Sequence, residues 1–267
     1  MRRTLLAVGF ALGALVTAAV ANAQPLAGVA LRWNHCFGEG TGLVSRAFAC
    51  DTNAGFEELI GSFAINEDMP NVNGNEIAVD VFTGAPPYCC APRPNSLVGV
   101  AMPAPPAGGP LPEWWKFRNP GTCRQTALTA VFAADPANTV CQDWAMGQQI
   151  GALGAYNIEF SGPGTARIIA VVAVPMTGLQ TLSAGSEYYS FTLRISHART
   201  VGTDACGGCS MPMYLVLRSI RVTTPVLAND VWLLGPLNGF DSDGVIWSPA
   251  PVPTRSTTWG AVKALFR

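Results

Sequence analysis

The chain has 267 residues, of which 49% are hydrophobic and 12% are charged, and its 16 basic residues nearly balance its 17 acidic residues. This composition excludes a disordered tail, a coiled coil and a polybasic nucleic-acid-binding protein. Without a basic excess that could neutralise phosphates, we expect no nucleic-acid partner. The composition names no activity.

The first residues have the order of a secretory signal peptide. Arg2 and Arg3 precede an apolar run from Leu5 to Val20, and the small residues Ala21-Asn22-Ala23 follow. We predict cleavage after Ala23, which makes residues 1–23 a leader and the mature protein extracellular or periplasmic. Retention of the run as a membrane anchor is the alternative, but the run is shorter than a membrane span requires. We expect no membrane span in the mature chain.

Eight segments of the remaining chain are typical of strands. Most alternate between apolar and polar residues, and one is continuously apolar, as in a strand covered on both faces. Clusters of Gly, Pro, Asn and Asp separate them. The pattern predicts an all-β fold, an antiparallel β-sandwich of the jelly-roll or immunoglobulin-like kind, over residues 24–226. The segments are Val29–Trp33, Leu59–Ile65, Glu76–Phe82, Thr126–Phe132, Ala155–Phe160, Ile168–Val174, Glu187–Ile195 and Tyr214–Val222.

Two regions interrupt or follow this pattern. Residues 86–112 are rich in proline and predict a long surface loop, because proline supplies no N–H to a sheet. The loop is either a tolerated insertion or a recognition loop. Residues 227–267 are predicted to form a C-terminal extension ending in a short helix, whose shared apolar face would hold Trp259, Val262, Leu265 and Phe266. This helix either docks on the sandwich or recognises a partner.

All eight cysteines lie after the predicted leader, and an even number in an exported chain predicts disulfides. Connectivity does not follow from sequence, but proximity favours local bridges. The preferred pairs are Cys36 with Cys50, Cys123 with Cys141, and Cys206 with Cys209. Adjacent Cys89 and Cys90 are ambiguous, because a bridge between neighbours strains the peptide bond, and a free or interchain role stays open.

Several phrases spaced by cysteines occur together in this chain. They are Leu31-Arg32-Trp33-Asn34-His35-Cys36, Ala49-Cys50-Asp51-Thr52-Asn53-Ala54-Gly55, Trp114-Trp115, Cys123-Arg124, Thr200-Val201-Gly202-Thr203, Cys206-Gly207-Gly208-Cys209 and the tail from Thr258 to Arg267. Together they resemble a group of uncharacterised exported bacterial proteins of similar length. The resemblance implies export and brings no activity. A looser likeness, at the level of fold, is to cohesin-like and carbohydrate-binding sandwiches.

Known catalytic phrases do not occur. The two histidines, His35 and His197, form no zinc motif, and we interpret both as structural. Cys206 and Cys209 have redox-motif spacing, but two glycines and a strand surround them, which favours a structural bridge over a thiol oxidoreductase. Asp241-Ser242-Asp243-Gly244 matches only part of a calcium loop, and we interpret it as an acidic turn. We expect no cofactor, no metal and no catalytic residue.

Two hypotheses of function follow. The first is a non-catalytic binding or structural protein of the cell exterior, of the surface or adhesion type, with a glycan or a surface protein as partner. The second is an extracellular carbohydrate-active hydrolase that uses two carboxylates, for which Glu113, Asp143 and Glu159 are candidates. For the first, Trp114 and Trp115 are the predicted binding residues, because neighbours on a strand face opposite sides and one indole would leave the core. That indole would either face outward or be covered by the loop at 86–112.

Overall fold

The computed structural model describes residues 27–40, 42–84, 109–135, 141–237 and 242–249. The predicted leader, all but the end of the proline-rich loop, and the predicted terminal helix lie outside the described residues. Among the described residues, no helix has the length and apolar character needed to cross a membrane.

The described chain forms fourteen strands and a few short 3₁₀ turns. Its strands are β1 Gly28–Trp33, β2 Ser45–Phe48, β3 Phe56–Ala64, β4 Met69–Val72, β5 Gly74–Phe82, β6 Leu128–Val131, β7 Gln142–Asp143, β8 Ile150–Ile158, β9 Thr165–Ala173, β10 Gln180–Leu182, β11 Tyr188–Ser196, β12 Met213–Thr223, β13 Val231–Leu233 and β14 Gly244–Pro249. Each of the eight segments predicted from sequence overlaps one of these strands. The all-β prediction is therefore confirmed.

The strands form two sheets packed as a sandwich. The first sheet has the order β1-β3-β11-β6, with β7 beside β11, and the second has the order β2-β14-β12-β5-β9-β8, with β13 beside β12. Strands β4 and β10 form a separate two-stranded sheet. Most pairs are antiparallel, but β7 with β11 and β14 with β2 are parallel. The predicted β-sandwich is thus confirmed, with sheets that are mostly antiparallel and contain these two parallel pairs.

A bulge in β11 changes which side chains enter the core. The alternation in sequence predicts Tyr189 on the same face as Phe191, but the register shifts between these two residues. The shift places Tyr188 in the main core beside Phe191 and leaves Tyr189 on the opposite face, in a small cluster with Ile60. A bulge inserts one residue and so reverses the alternation on one side of it.

The second sheet continues beyond the predicted boundary at residue 226. Strand β13 pairs with residues 220–222 of β12, and β14 pairs with residues 213–216 of the same strand. Trp247 of β14 is fully buried in the main core. The first part of the predicted C-terminal extension therefore belongs to the sandwich.

The sandwich has two distinct ends. The disulfide end lies where β3 and β12 begin, at Phe56 and Met213, and the cleft end lies where these strands finish, at Ala64 and Thr223. A disulfide from Cys50 to Cys209 joins the segments that precede the two strands. At the other end, the residues that follow the two strands line a common cleft.

Candidate functional site

Trp114 and Trp115 lie at the disulfide end and face the interior. They occupy a 3₁₀ turn, Glu113–Trp115, instead of the predicted strand, and each has an exposed fraction of 0%. The chain can turn here because the preceding Pro112 is extended and cannot donate to a ladder. In a 3₁₀ turn, neighbouring side chains need not face opposite sides, so the expectation that one indole leaves the core is wrong. Their predicted binding role stays a prediction.

The two indoles belong to a cluster of aromatic rings. Trp247 lies 5.1 Å from Trp114 and 5.4 Å from Trp115, measured between ring centroids. Phe117 contacts both indoles, and its ring lies 5.4 Å from that of Tyr156. Aromatic rings of this size account for much of the stability of a core. The arrangement indicates a packing role.

A buried cation lies against this cluster. The guanidinium of Arg124 lies 3.4 Å from the ring centroid of Trp114 and donates to the carbonyl oxygens of Trp114, Ser196 and Ala198. Burial lowers the pKa of Arg124 to about 9. The carbonyl oxygens and the ring together stabilise the charged form at neutral pH.

Three disulfides connect distant parts of the chain. The bonds join Cys36 to Cys141, Cys50 to Cys209 and Cys123 to Cys206, across separations of 105, 159 and 83 residues. All six predicted disulfide cysteines are thus bridged, but the predicted local pairing is wrong in every case. The order of the strands in the sheets brings remote segments together. The distance between two cysteines along the sequence does not show this order. Cys89 and Cys90 lie outside the described residues.

The loop from Cys206 to Cys209 contacts the aromatic cluster at Trp114. Its two cysteines are bridged to different partners, so they do not form the single dithiol pair that a thiol oxidoreductase uses. The carbonyl of Gly207 accepts a hydrogen bond from the Trp114 backbone at 2.9 Å. Gly208 has φ of +101°, and a Cβ there would lie 2.3 Å from Cβ of Pro112. Glycine is therefore required where this loop meets Pro112.

Hydrogen bonds hold the loop before β3 in place at the disulfide end. The side-chain oxygen of Asn53 accepts from the backbone N–H groups of Thr200 and Val201, at 2.7 and 3.0 Å. Nδ1 of His197 donates to the carbonyl of Ala54 at 2.7 Å, and Nε2 lies 3.1 Å from Oε1 of Glu57. The segments 50–57 and 197–209 therefore meet at this end of the sandwich.

His197 is held between two acceptors. The Ala54 carbonyl can only accept, so Nδ1 carries a proton. The other nitrogen faces the Glu57 carboxylate, and Glu57 also pairs with Arg46. The interpretation of His197 as structural fits these contacts.

The three candidate carboxylates of the hydrolase hypothesis lie in three different local settings. Glu113 pairs with Lys116 at 2.5 Å. Asp143 accepts from the backbone N–H groups of Ala145 and Gly147 and stabilises the turn after β7. Glu159 has φ of +56° in the turn after β8. Within the described residues, none of the three contacts another through a hydrogen bond.

One group of potential metal ligands occurs in the described chain. Sulfurs of Cys36 and Cys141 and a carboxylate oxygen of Glu187 lie within 4.8 Å of one another. Both sulfurs are in a disulfide, and Glu187 accepts from the backbone N–H groups of Phe37 and Gly38. The carboxylate thus holds the 3₁₀ turn that follows Cys36, which accounts for the grouping.

The cleft end holds a cavity of about 450 Å³ between residues 65–71 and 224–231. Cavities of roughly 300–1,000 Å³ are typical of ligand sites. Apolar side chains of Ile65, Met69, Val226 and Val231 line it. Its polar lining residues are Asn66, Glu67, Asp68, Asn71, Thr224 and Asn229, and no basic residue lines it.

Four large apolar side chains in the segment 226–234 face solvent, and one of them, Val226, lines the cleft. Val226 and Trp232 are each 56% exposed, Leu234 is 68% exposed and Leu227 is 75% exposed. The guanidinium of Arg221 lies 5.3 Å from the Trp232 ring centroid. We call these four side chains together with the cleft the β13 surface. Sequence reasoning did not single it out, because the strand pattern weakens after Val226 and these residues fall in the predicted C-terminal extension, 227–267.

No protein-family model and no curated protein matches the chain in sequence. The resemblance to exported bacterial proteins therefore stays a prediction. The fold and the β13 surface are the basis for the function that follows.

Proposed function

We propose that this protein is an exported, non-catalytic binding protein of the bacterial exterior, extracellular or periplasmic, whose contact surface is the β13 surface. Three disulfides support the location, because such bonds persist in oxidising compartments. The signal-peptide pattern at residues 1–23 agrees with the same location.

The observation that carries this proposal is the exposed apolar group at 226–234. Isolated exposed apolar residues are common, but several close together beside a cavity are typical of interaction sites. Here four such residues occur within nine positions of the chain, and the same segment supplies Val226 and Val231 to the lining of the cleft. Burial of the Trp232 side chain against a partner would remove apolar surface from water, and this removal favours association.

The test compares two exposed aromatic residues at opposite ends. Phe56 at the disulfide end is 50% exposed and has the Arg194 guanidinium 4.9 Å from its ring centroid, so it matches Trp232 in setting. Immobilised parent, Trp232→Ala and Phe56→Ala proteins are exposed to medium from the producing culture, and retained proteins and glycans are quantified.

The proposal expects a component that the parent and Phe56→Ala retain and that Trp232→Ala loses by tenfold or more. Equal retention of every component by all three proteins would overturn it. Turnover of a polysaccharide by the parent would instead support the hydrolase hypothesis.

A further inference from the structure

We infer that the partner of the β13 surface is an extended peptide segment, which adds to the free edge of β13 as another strand. This inference rests on the proposed function and names the class of partner. Three features of the described residues support it: the edge itself, the distribution of side chains on its two faces, and the charge of the cleft.

The outer edge of β13 has no strand partner within the described part of the chain. Among the described residues, β13 pairs with β12 alone, and no backbone group outside that pair hydrogen-bonds to residues 231–233. Alternate residues of a strand direct their N–H and C=O groups away from the neighbouring strand. An extended peptide can satisfy such groups without any change in the fold.

The side chains of β13 divide between two faces. Val231 and Leu233 are opposite Val222 and Ile220, which are buried in the core, whereas Trp232 is opposite Arg221. Val231 therefore faces the cleft side, and Trp232 faces the outer side. A single rigid ligand cannot contact both faces, but an added strand directs alternate side chains to each. Strand addition thus uses both the cleft and Trp232.

Prolines limit the length of the site. Pro225 precedes β13 and Pro236 follows it. Proline interrupts strand pairing, and natural proteins use it to prevent unrestricted association of edges. The site therefore accepts a short segment and disfavours growth into an extended intermolecular sheet.

The charge of the cleft selects among peptides. Glu67 and Asp68 line it, both exposed, and no lysine, arginine or histidine does so. An acidic peptide would place like charges together, so a neutral or basic segment with apolar residues on the cleft side fits best.

The experiment uses a fluorescein-labelled heptapeptide of alternating lysine and valine, with fluorescence anisotropy at about 0.15 M salt, where distant charges are screened. A second probe carries N-methyl groups on alternate backbone nitrogens, which keeps the side chains and removes strand donors. A third has glutamate in place of valine, which places anionic side chains on the cleft side beside Glu67 and Asp68. The expected result is binding of the first probe and at least tenfold weaker binding of the other two.

Protein variants locate the site. Trp232→Ala is expected to weaken binding of the first probe threefold or more. Val226→Lys is expected to weaken its binding tenfold or more, because the substitution places a cation at the cleft. Phe56→Ala is the matched control and is expected to bind like the parent. Unfolding midpoints of all three variants establish that the fold is retained.

Equal binding of the N-methylated probe, or unchanged binding by Trp232→Ala and Val226→Lys, would overturn strand addition. Absence of binding of all peptide probes would overturn it as well. If a glycan were retained in a manner dependent on Trp232 while peptides were not, the proposed binding function would stand and this inference would fail.

Discussion

Tryptophan side chains are buried at one end of the sandwich and exposed at the other. At the disulfide end, Trp114, Trp115 and Trp247 are fully enclosed and lie beside two disulfides. At the cleft end, Trp232 is on an edge strand and faces solvent. The comparison shows that a conspicuous sequence phrase can serve the fold, whereas an inconspicuous apolar segment can supply the exposed surface.

The largest expected effect comes from making the same substitution at both ends. Trp247→Ala should lower the free energy of unfolding by about 3–5 kcal/mol, because it leaves a cavity among packed rings. Trp232→Ala should change it by less than about 0.5 kcal/mol, as is usual for exposed sites. Guanidinium chloride unfolding with disulfides intact measures both. Similar losses at both positions would remove the contrast between the ends.

Removal of the Cys50–Cys209 bond tests the covalent part of the disulfide end. The double variant Cys50→Ala, Cys209→Ala should lose roughly 2–5 kcal/mol, because the unfolded chain regains the freedom of a long loop. Denaturant titration gives the loss. Peptide mapping under non-reducing conditions should identify the bond in the parent. A bond between Cys206 and Cys209 instead would contradict the structure.

The two histidines allow a smaller, matched comparison. His197→Phe should cost about 1–3 kcal/mol, because it leaves the Ala54 carbonyl without its donor and Glu57 without one partner. His35 is more exposed and pairs with Glu39, so His35→Phe should cost less than about 1 kcal/mol. Thermal unfolding at neutral pH measures the difference. Equal losses would show that the buried contacts of His197 add nothing.

Alkaline pH should act on the buried tyrosines. Burial raises the pKa of Tyr156 and of Tyr189. The folded state then keeps protons that the unfolded chain releases above about pH 10, so the contribution of these groups to stability falls as the pH rises beyond that value. Tyr156→Phe should reduce the slope of stability against pH in this window. Tyrosinate absorbance that rises before unfolding would contradict this assignment.

The strands could be predicted because one side of each sheet is packed, and packing imposes alternation on the sequence. This signal locates β5, β9 and β12 well. It fails at the bulge in β11, where one extra residue moves Tyr188 to the core, because a bulge leaves no distinct composition. It also misses β13, which has three residues, and β14, which has six.

The disulfide pairs and the β13 surface could not be predicted for a different reason. Both depend on which segments the topology brings together, and that information is spread over the whole chain. Trp114-Trp115 is a conspicuous pair in the sequence. Whether a side chain is exposed, however, depends on the residues that surround it in the folded protein. The only signal for Trp232 was its place between Pro225 and Pro236, which marks a short strand.

The three disulfides have a consequence for biosynthesis. In a chain that crosses a membrane with its N-terminus first, Cys36 and Cys50 emerge before any of their partners, and neither is bonded to the other in the folded protein. Oxidation in order of emergence would give the wrong pair. Cys36 must therefore stay reduced until Cys141 has crossed, and Cys50 until Cys209 has crossed, or an early bond must be exchanged afterwards. Production of this protein should depend on a disulfide isomerase more strongly than that of a protein whose bonds join cysteines adjacent in order along the chain.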